Sequence, residues 1–372
     1  MKIYNDIPLT YRTVYVACDT YREISIKGLE RKARGESKKF LIRSGKVKIP
    51  QDFQKFLCNG SNKERIFELR EEVWIDNKEN MEEERIIFFA RGSKCIKITQ
   101  QDISEVDELE TDHEEADTKV VYLSEHASLT TTVSEICIRS CSGDIDIPVI
   151  VTGTLGDIPT RTFIDNGTGK HRKKICINNP SLTSAQQKAL IGFHAFTGND
   201  YVSSFLRKTK KLWHTLVKDD EEILRFFAEL GTDHLTEKLY EDAEYIVCRM
   251  YGEKKLDSVN ELRGKMFWNR LRKHGKVIDL ALLPPCSSTL RKHTDRAHYV
   301  ANMWRKANEP LQNLDFFYDN GWFEDGTIDW IGDMFPEDLV EIFTNKSNSD
   351  SEQDEDLVEE IDESSDIEEE DE

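Results

Sequence analysis

Acidic residues stand next to apolar segments at several separate places in this sequence. Asp19 follows the run VYVAC, Asp144 and Asp146 follow ICIR in the string SGDID, and Asp200 follows the helical pattern ending in HAFTG. Ligands of open parallel sheets bind beyond the carboxyl ends of the strands, so these acids are candidates for one common site. On an extended segment, Asp144 and Asp146 would project to the same side and could ligate one ion or a close pair.

A further acidic group, in the string HEEADT, opens a predicted helix with Glu114, Glu115 and Asp117. Hard divalent cations prefer carboxylate oxygens, and uncompensated carboxylates gathered in one pocket repel each other, which implies a bound cation. Each acid also has an ordinary interpretation as a helix cap, a turn residue or the partner of a helix dipole. Their joint occurrence at successive strand ends and helix starts favours a metal site.

The elements that would position these acids alternate between strands and helices. Continuous apolar runs predict strands that are covered on both faces, as in a parallel sheet, over 14–18, 86–90, 136–139 and 147–151. Helices are predicted over 27–39, over 114–127 with Asp112 and Glu115 as a capping pair, and over 184–196 between Thr183 and Gly198. This alternation predicts an α/β fold with a parallel sheet flanked by helices.

Four regions are predicted along the chain. An α/β core covers 10–200, and a mostly helical region follows over 201–310. An aromatic-rich hairpin segment, 311–344, contains the turn signal Asp325-Gly326, and 345–372 has the Ser, Asp and Glu composition of a disordered tail. Within the helical region, helices are expected over 201–217, 221–230, 236–251, 262–273 and 289–307.

The net charge of −20, from 51 Lys and Arg against 71 Asp and Glu, first argues against a nucleic-acid partner. However, 350–372 holds 15 acids and no base, which leaves a net charge of −5 in residues 1–349. The remainder is polarised into a basic segment at 22–48, basic clusters at 170–174 and 207–211, and an acidic block at 102–117. Such runs are usually solvated faces, but together they suit a metal site flanked by phosphate-binding surface.

Other features of the sequence argue against a secreted protein and a membrane protein. The first residues, MKIYNDIPLT, do not have the pattern of a secretory signal, and the longest apolar runs are far shorter than the ~20 residues of a membrane span. The eight cysteines contain no CxxC pair, so we expect reduced thiols in an intracellular protein that has no membrane partner.

Three segments, HEEADTKVVYLSEHA, SGDID and AFTGNDYVSSF, resemble the EADT, SPDTD and TGCD blocks of one protein group, in the same order. This is a flap-endonuclease-like group of the PIN-like 5′ nuclease superfamily, found in animals and partly linked to mobile elements. The segments CDTYREISIKGLERKARG, GTGKHRKKICI and LPPCSSTLRKHTDRAHYVANMW also match it, so the resemblance covers about 10–340.

The resemblance implies a PIN-like nuclease, a hydrolase acting on ester bonds, with two bound Mg²⁺ or Mn²⁺ ions. Ions about 4 Å apart would activate a water, orient the scissile phosphate and stabilise the leaving oxygen. Asp144, Asp146 and Asp200 would hold mainly one ion, and Glu114 is a possible substitute for Glu115. The acids that align with the group's metal ligands are Asp19, Glu115, Asp117, Asp144, Asp146 and Asp200.

The implied partner is a nucleic acid, with DNA favoured over RNA and a nuclear location over a cytoplasmic one; the oligomeric state stays open. In the resembled nucleases, a basic helical region after the first strand admits a single-stranded end, a role that falls here to Arg31, Lys32 and Arg34. Basic residues later in the chain would neutralise backbone phosphates, namely Lys170, Arg172, Lys173, Lys208 and Lys210.

Some residues depart from the pattern of the group. The chain has SGDID where the group has SPDTD, and TGND where the group has TGCD. Arg91-Gly92 follows the second predicted strand, where flap endonucleases carry an acid. Thr209 lies in RKTKK where the group has a glycine that permits close approach to duplex DNA, and its Cβ hinders such an approach. The alternative is therefore a catalytically silent nucleic-acid-binding or scaffold protein that retains the nuclease fold and derives from a mobile element.

Overall fold

The computed structural model describes residues 11–22, 25–28, 38–44, 47–48, 50–130, 133–140, 143–156, 158–178, 181–218, 220–274 and 279–323. All of them belong to one compact unit, Met1–Trp330. The fold is mixed α/β, with two small sheets followed by a helical C-terminal region. Within the described ranges, no helix combines the length and the apolar character that crossing a bilayer requires.

The strands form a four-stranded and a three-stranded sheet. β1 pairs in parallel with β2, and β5 pairs in parallel with β6, whereas the other neighbouring pairs are antiparallel. The first sheet has the order β1 (Thr13–Ala17), β2 (Ile86–Arg91), β3 (Lys94–Ile98), β4 (Ile103–Glu105). The second has the order β5 (Glu135–Ser140), β6 (Arg161–Asn166), β7 (Lys173–Cys176).

The helices increase in number after the second sheet. The described α-helices are α1 (Phe53–Leu57), α2 (Gly60–Asp76), α3 (Ala116–Thr130), α4 (Asp146–Leu155), α5 (Ser184–Phe196), α6 (Glu221–Glu229), α7 (Glu237–Met250), α8 (Val259–His274) and α9 (Ser287–Arg305). Short 3₁₀ turns occur at Lys78–Asn80, Asp107–Leu109, Gly169–His171, Leu280–Leu282 and Phe317–Asn320, and Trp213–Val217 forms a π-helical turn.

Three of the four predicted strands are confirmed as β1, β2 and β5. The predicted parallel sheet is wrong for the described strands, which form two mixed sheets in which only the pairs β1–β2 and β5–β6 are parallel. The chain reverses directly after β2 at Gly92, which takes a positive φ of 61° in a tight turn. The two sheets share no strand pair among the described residues.

The strand predicted over 147–151 is wrong, because these residues lie in α4. α4 is the crossover that connects the parallel strands β5 and β6, and such a connection usually needs a helix. Pro148 lies in its first turn, where the missing amide proton removes no helical hydrogen bond. Since α4 is buried nearly all round, its apolar run has the same appearance as a buried strand.

The C-terminal helices are confirmed as α6 to α9, apart from the helix predicted over 201–217. In that stretch only the turn Trp213–Val217 is helical, and Arg207 takes a positive φ of 60°. The Asn199 carboxamide accepts hydrogen bonds from the amides of Tyr201 and Val202, a local turn that competes with the helix.

Of the two predicted helix caps, one is confirmed and the other is wrong. The capping box of Thr183 and Gln186 is confirmed at the start of α5. The cap predicted from Asp112 is wrong, because α3 begins only at Ala116, and the Asp112 carboxylate instead accepts from the Gln312 amide at 2.8 Å. Asp19 supplies the acceptor at the start of α3, a contact between residues that are distant in the sequence.

One large hydrophobic core joins the second sheet to the helical region. It includes Ile138 and Ile164 of the sheet, Ile150 of α4, Phe193 of α5 and Trp304 of α9. The first sheet has two smaller clusters, one around Ile87 and Phe89 and one around Phe88 and Ala90, so successive residues of β2 are buried on opposite faces.

Several predicted elements lie outside the described residues. Of the basic helix predicted over 27–39, the structure describes only 27–28 and 38–39, and residues 26–28 are helical. The hairpin turn at Asp325-Gly326 and the acidic segment 345–372 lie outside the described residues entirely.

Candidate active site

Asp117, in the first turn of α3, interacts electrostatically with predicted acids from two other segments. Burial raises the pKa of Asp117 to about 7, and the nearby carboxylates of Asp146, Asp19 and Asp144 add to the rise. The Lys27 ammonium opposes it. Acids from the end of β1 and from the bend at the start of α4 therefore act electrostatically on the acid at the start of α3.

Asp19 connects the end of β1 to the start of α3. Its Oδ1 accepts from the Ala116 amide at 2.9 Å, and its Oδ2 accepts from the Tyr21 hydroxyl at 3.3 Å. A carboxylate at a helix N-terminus also interacts favourably with the helix dipole. Asp19 thus caps the start of the helix that carries Asp117.

Asp144 and Asp146 lie on a bend rather than on an extended segment, so the predicted same-side projection along a strand is wrong. Asp146 is the first residue of α4, and Asp144 Oδ1 accepts from the amides of Ile145 and Asp146 at 2.6 and 3.3 Å. The Asp144 carbonyl accepts from the Asn166 carboxamide at 2.7 Å, which fixes this bend to the end of β6.

His194 of α5 holds the carboxylate of Asp146. Its Nε2 lies 2.6 Å from Asp146 Oδ1, and its ring stacks on Trp304 with the ring centroids 5.3 Å apart. Burial lowers the pKa of His194, although the Asp146 carboxylate opposes the shift. The residue therefore supports an acid of the site from a fixed position in the core.

The two glutamates before α3 have different partners. Glu115 is 5% exposed and forms an ion pair with Lys27. Glu114 Oε1 accepts from the Ser25 hydroxyl at 2.7 Å. Both acids that the sequence left as alternatives therefore face the segment 25–28.

Asp200 is exposed, as is Asp144 of the predicted set. It lies beside Tyr201, whose hydroxyl has a pKa well above its usual value because of burial. The carboxylates of Glu114, Asp117, Asp19 and Asp200 raise that pKa further. Tyr201 consequently belongs to the surroundings of the acids, a position that its sequence context did not indicate.

Lys119 is a structural residue of the site that the sequence did not reveal. Its side chain is 1% exposed, and Nζ donates to the Cys18 carbonyl at 2.9 Å, the Thr20 hydroxyl at 2.7 Å and the Gly92 carbonyl at 2.8 Å. Burial lowers its pKa to about 8. A lysine two residues after Asp117 looks like part of a solvated helix face, and only the fold buries it.

Residues 309–312 hold the segment that leads into α3. The buried His113 ring lies 2.7 Å from the Glu309 carbonyl through Nε2, and the Asp112 amide donates to the Pro310 carbonyl at 3.2 Å. Together with the Gln312 amide on the Asp112 carboxylate, these contacts connect the acidic loop to the segment after α9.

The donors of the site fit a hard divalent cation in their chemistry, because they are carboxylate oxygens that repel one another. In the described part of the chain, however, no group of three or more His, Cys, Asp or Glu side chains is arranged to hold a metal ion. Protein groups bind several of the acids instead: the Ala116 amide binds Asp19, Lys27 binds Glu115 and His194 binds Asp146.

The basic residues predicted to contact nucleic acid have different surroundings. Arg31, Lys32 and Arg34 lie outside the described residues. Lys170 and Lys173 are exposed around β7, whereas Arg172 forms a two-pronged ion pair with the buried Asp165 at 2.7 and 2.5 Å.

The cluster at 207–211 contributes two partly buried lysines. The Lys208 ammonium lies 4.3 Å from the centre of the Tyr251 ring. The Lys210 ammonium donates to the His194 carbonyl, the Thr197 hydroxyl and the Gly198 carbonyl at 2.7 to 2.8 Å, and burial lowers its pKa to about 7. Lys210 thus stabilises the C-terminal end of α5 in this structure.

No protein-family model, curated protein or solved structure matches this chain. The fold and the site define a mixed α/β protein with carboxylates gathered around the start of α3.

Proposed function

We propose that this protein is a divalent-metal-dependent, structure-selective nuclease with a PIN-like fold. The observation that supports the proposal is the environment of Asp117, on which acids from the end of β1 and the start of α4 act together. Asp117 is held at the start of α3 by elements that are far apart in the sequence. Several carboxylates gathered in this way favour the binding of cations.

The chain's own residues would hold and orient the reacting groups. Asp19, Asp117, Asp144 and Asp146 would ligate the metal, with Glu115 and Asp200 as further donors. Bound Mg²⁺ or Mn²⁺ would polarise the phosphate and promote deprotonation of the attacking water. His194 would keep Asp146 oriented through its contact at 2.6 Å, and the amides of Ile145 and Asp146 would do the same for Asp144.

Purified full-length protein with Mg²⁺ or Mn²⁺ tests this proposal on a panel of flapped, overhanging and single-stranded DNA and RNA. We expect cleavage of at least one substrate class and none in EDTA, because the carboxylates alone cannot activate a water. A panel that stays intact with both metals would contradict the nuclease proposal.

The hairpin of β6 and β7 is the best described candidate for a phosphate-binding surface. All four residues of β7 are exposed, and the preceding turn adds the exposed Lys170. Because Asp165 already engages Arg172, the lysines at 170, 173 and 174 carry the charge that this surface offers to phosphates. Such contacts would position a nucleic acid without reading its sequence.

Replacing Lys170, Lys173 and Lys174 together by alanine is expected to weaken binding and to flatten its salt dependence. The slope of log affinity against log salt should fall by about 2 to 3, since each phosphate contact contributes roughly 0.7 to 0.9. Fluorescence anisotropy in EDTA at several KCl concentrations measures the slope independently of cleavage. As a matched control, alanine at the exposed Lys55, Lys94 and Lys238 should leave the slope unchanged; equal slopes for both triple variants would contradict this assignment.

A second candidate function is a catalytically silent nucleic-acid-binding or scaffold protein. It is favoured by the finding that no described group of acids is arranged to hold a metal, while Lys27 neutralises Glu115. Mn²⁺ separates the two functions. A melting temperature that rises with Mn²⁺ supports the nuclease, and an unchanged one supports the silent protein.

A further inference from the structure

Residues 25–28 place a lysine among the acids of the site. The Lys27 ammonium forms an ion pair with Glu115 and lies 4.9 Å from the centre of the Tyr201 ring. The side chains of Lys27 and Glu115 are 29% and 7% exposed, so the pair is largely shielded from water. Shielded charges interact more strongly than those on an open surface.

The position of Lys27 is fixed by its neighbours. The Ser25 hydroxyl donates to Glu114 Oε1 at 2.7 Å and accepts from the Gly28 amide at 2.9 Å. Ile26 packs against the large hydrophobic core, and the Thr20 amide donates to the Glu114 carbonyl at 2.7 Å. The residues immediately before the lysine therefore attach this segment to the start of α3 and to the core.

The same ammonium serves more than one acid. It forms the ion pair with Glu115, and it also stabilises the charged form of Asp117, whose pKa it lowers against the effects of burial and neighbouring carboxylates. A single tethered charge thus offsets part of the repulsion within the site. An ammonium bound to Glu115 also occupies an oxygen that a metal would need as a ligand.

We propose that Lys27 is a built-in counter-cation of the acidic site, and that a divalent cation must displace it from Glu115 to bind there. The identity of the competing cation rests on the proposed nuclease function, whereas the ion pair itself does not. The arrangement explains why the acids gather at the start of α3 although no described group is ready to hold a metal. The lysine keeps the metal-free site stable and weakens its affinity for the metal.

Lys27→Met tests the competition, because methionine keeps most of the side-chain length and removes the charge. Isothermal titration calorimetry of the full chain with MnCl₂ should show binding at least about tenfold tighter than in the wild type, as expected when a like charge leaves a shielded site. Lys211→Met removes a charge from an exposed lysine and should leave the Mn²⁺ affinity unchanged. Equal affinities for Lys27→Met and the wild type would overturn the competition and leave the nuclease proposal intact.

Melting temperatures in EDTA test the counter-cation without any metal. Lys27→Met should lower the melting temperature, and adding Glu115→Gln should recover much of the loss, because the double variant no longer buries an unpaired Glu115 carboxylate. Additive effects of the two substitutions would overturn the proposed role of Lys27. If neither the wild type nor Lys27→Met binds Mn²⁺, the metal-dependent function fails, and this second measurement alone decides whether Lys27 is a counter-cation.

Discussion

Replacing Asp144 and Asp146 together by asparagine is expected to abolish cleavage of nucleic acid, with a loss of at least about 10³-fold in rate, as for the removal of essential metal ligands. Both substitutions remove a negative charge and a hard ligand from the site around Asp117. Asparagine keeps the shape of the side chain, and its oxygen can still accept from the Ile145 amide at the start of α4. The fold should therefore persist while the reaction is lost.

Single-turnover cleavage of the best substrate, measured with Mg²⁺ and with Mn²⁺, gives the rate of the double variant. Thermal melting and binding in EDTA verify that it folds and still binds nucleic acid. The matched control replaces Asp107 and Asp319 by asparagine, because both are exposed acids of short 3₁₀ turns outside the site. A double variant that cleaves as fast as this control would remove Asp144 and Asp146 from the proposed chemistry.

Lys119→Met is expected to destabilise the whole protein by about 1 to 2 kcal/mol. The substitution removes the ammonium donor from three acceptors, of which, among the described residues, only the Gly92 carbonyl keeps another donor, the Thr20 hydroxyl at 3.2 Å. Each unsatisfied buried group costs about 1 to 3 kcal/mol. Part of this loss is recovered, since the fall of the Lys119 pKa from 10.5 to about 8 corresponds to about 3 kcal/mol of desolvation that methionine does not incur. The lost hydrogen bonds outweigh the relief because they join β1, the β2–β3 turn and α3 at one point.

Urea denaturation followed by circular dichroism measures the free energy of unfolding of this variant. Lys188→Met is the matched control, because this lysine is exposed on α5 and its loss should change stability by less than about 0.5 kcal/mol. If both variants unfold at the same urea concentration as the wild type, the hydrogen bonds of Lys119 do not hold the site together.

Sequence patterns predicted the elements whose signals are local. Apolar runs identified β1, β2 and β5, and the side chains of Thr183 and Gln186 identified the start of α5. The helices α6 to α9 follow the same logic, because each combines an apolar face with polar residues at its ends. These signals depend on neighbouring residues, so they hold whatever the tertiary structure.

Patterns failed where the fold outweighs local preference. The apolar run of α4 has no face that distinguishes a helix from a strand, and only the crossover between β5 and β6 requires the helix. Likewise, the start of α3 is determined by Asp19, which no local rule connects to Ala116. Partners that are distant in the sequence cannot be found by examining a window of the chain.

Some features of the candidate site follow from local sequence patterns, and others depend on the folded arrangement. The positions of the acids at strand ends and helix starts predicted one site formed by Asp19, Glu115, Asp117, Asp144, Asp146 and Asp200. In the structure, the carboxylates of Asp19, Asp144 and Asp146 each raise the pKa of Asp117. The ion pair between Lys27 and Glu115 and the contact of His194 with Asp146 required the folded arrangement. The buried role of Lys119 is of the same kind, since its acceptors at Cys18, Thr20 and Gly92 are distant in the sequence.

The contacts that hold the start of α3 span very long stretches of chain. Asp19 and Ala116 are 97 residues apart, Cys18 and Lys119 are 101, and Asp112 and Gln312 are 200. Contacts between such distant residues form slowly, because closing a long loop costs entropy before any contact rewards it. During synthesis, the loop before α3 gains its last support only after residue 312 has left the ribosome. We therefore expect nascent chains to keep their acids apart and to acquire the site only late in synthesis.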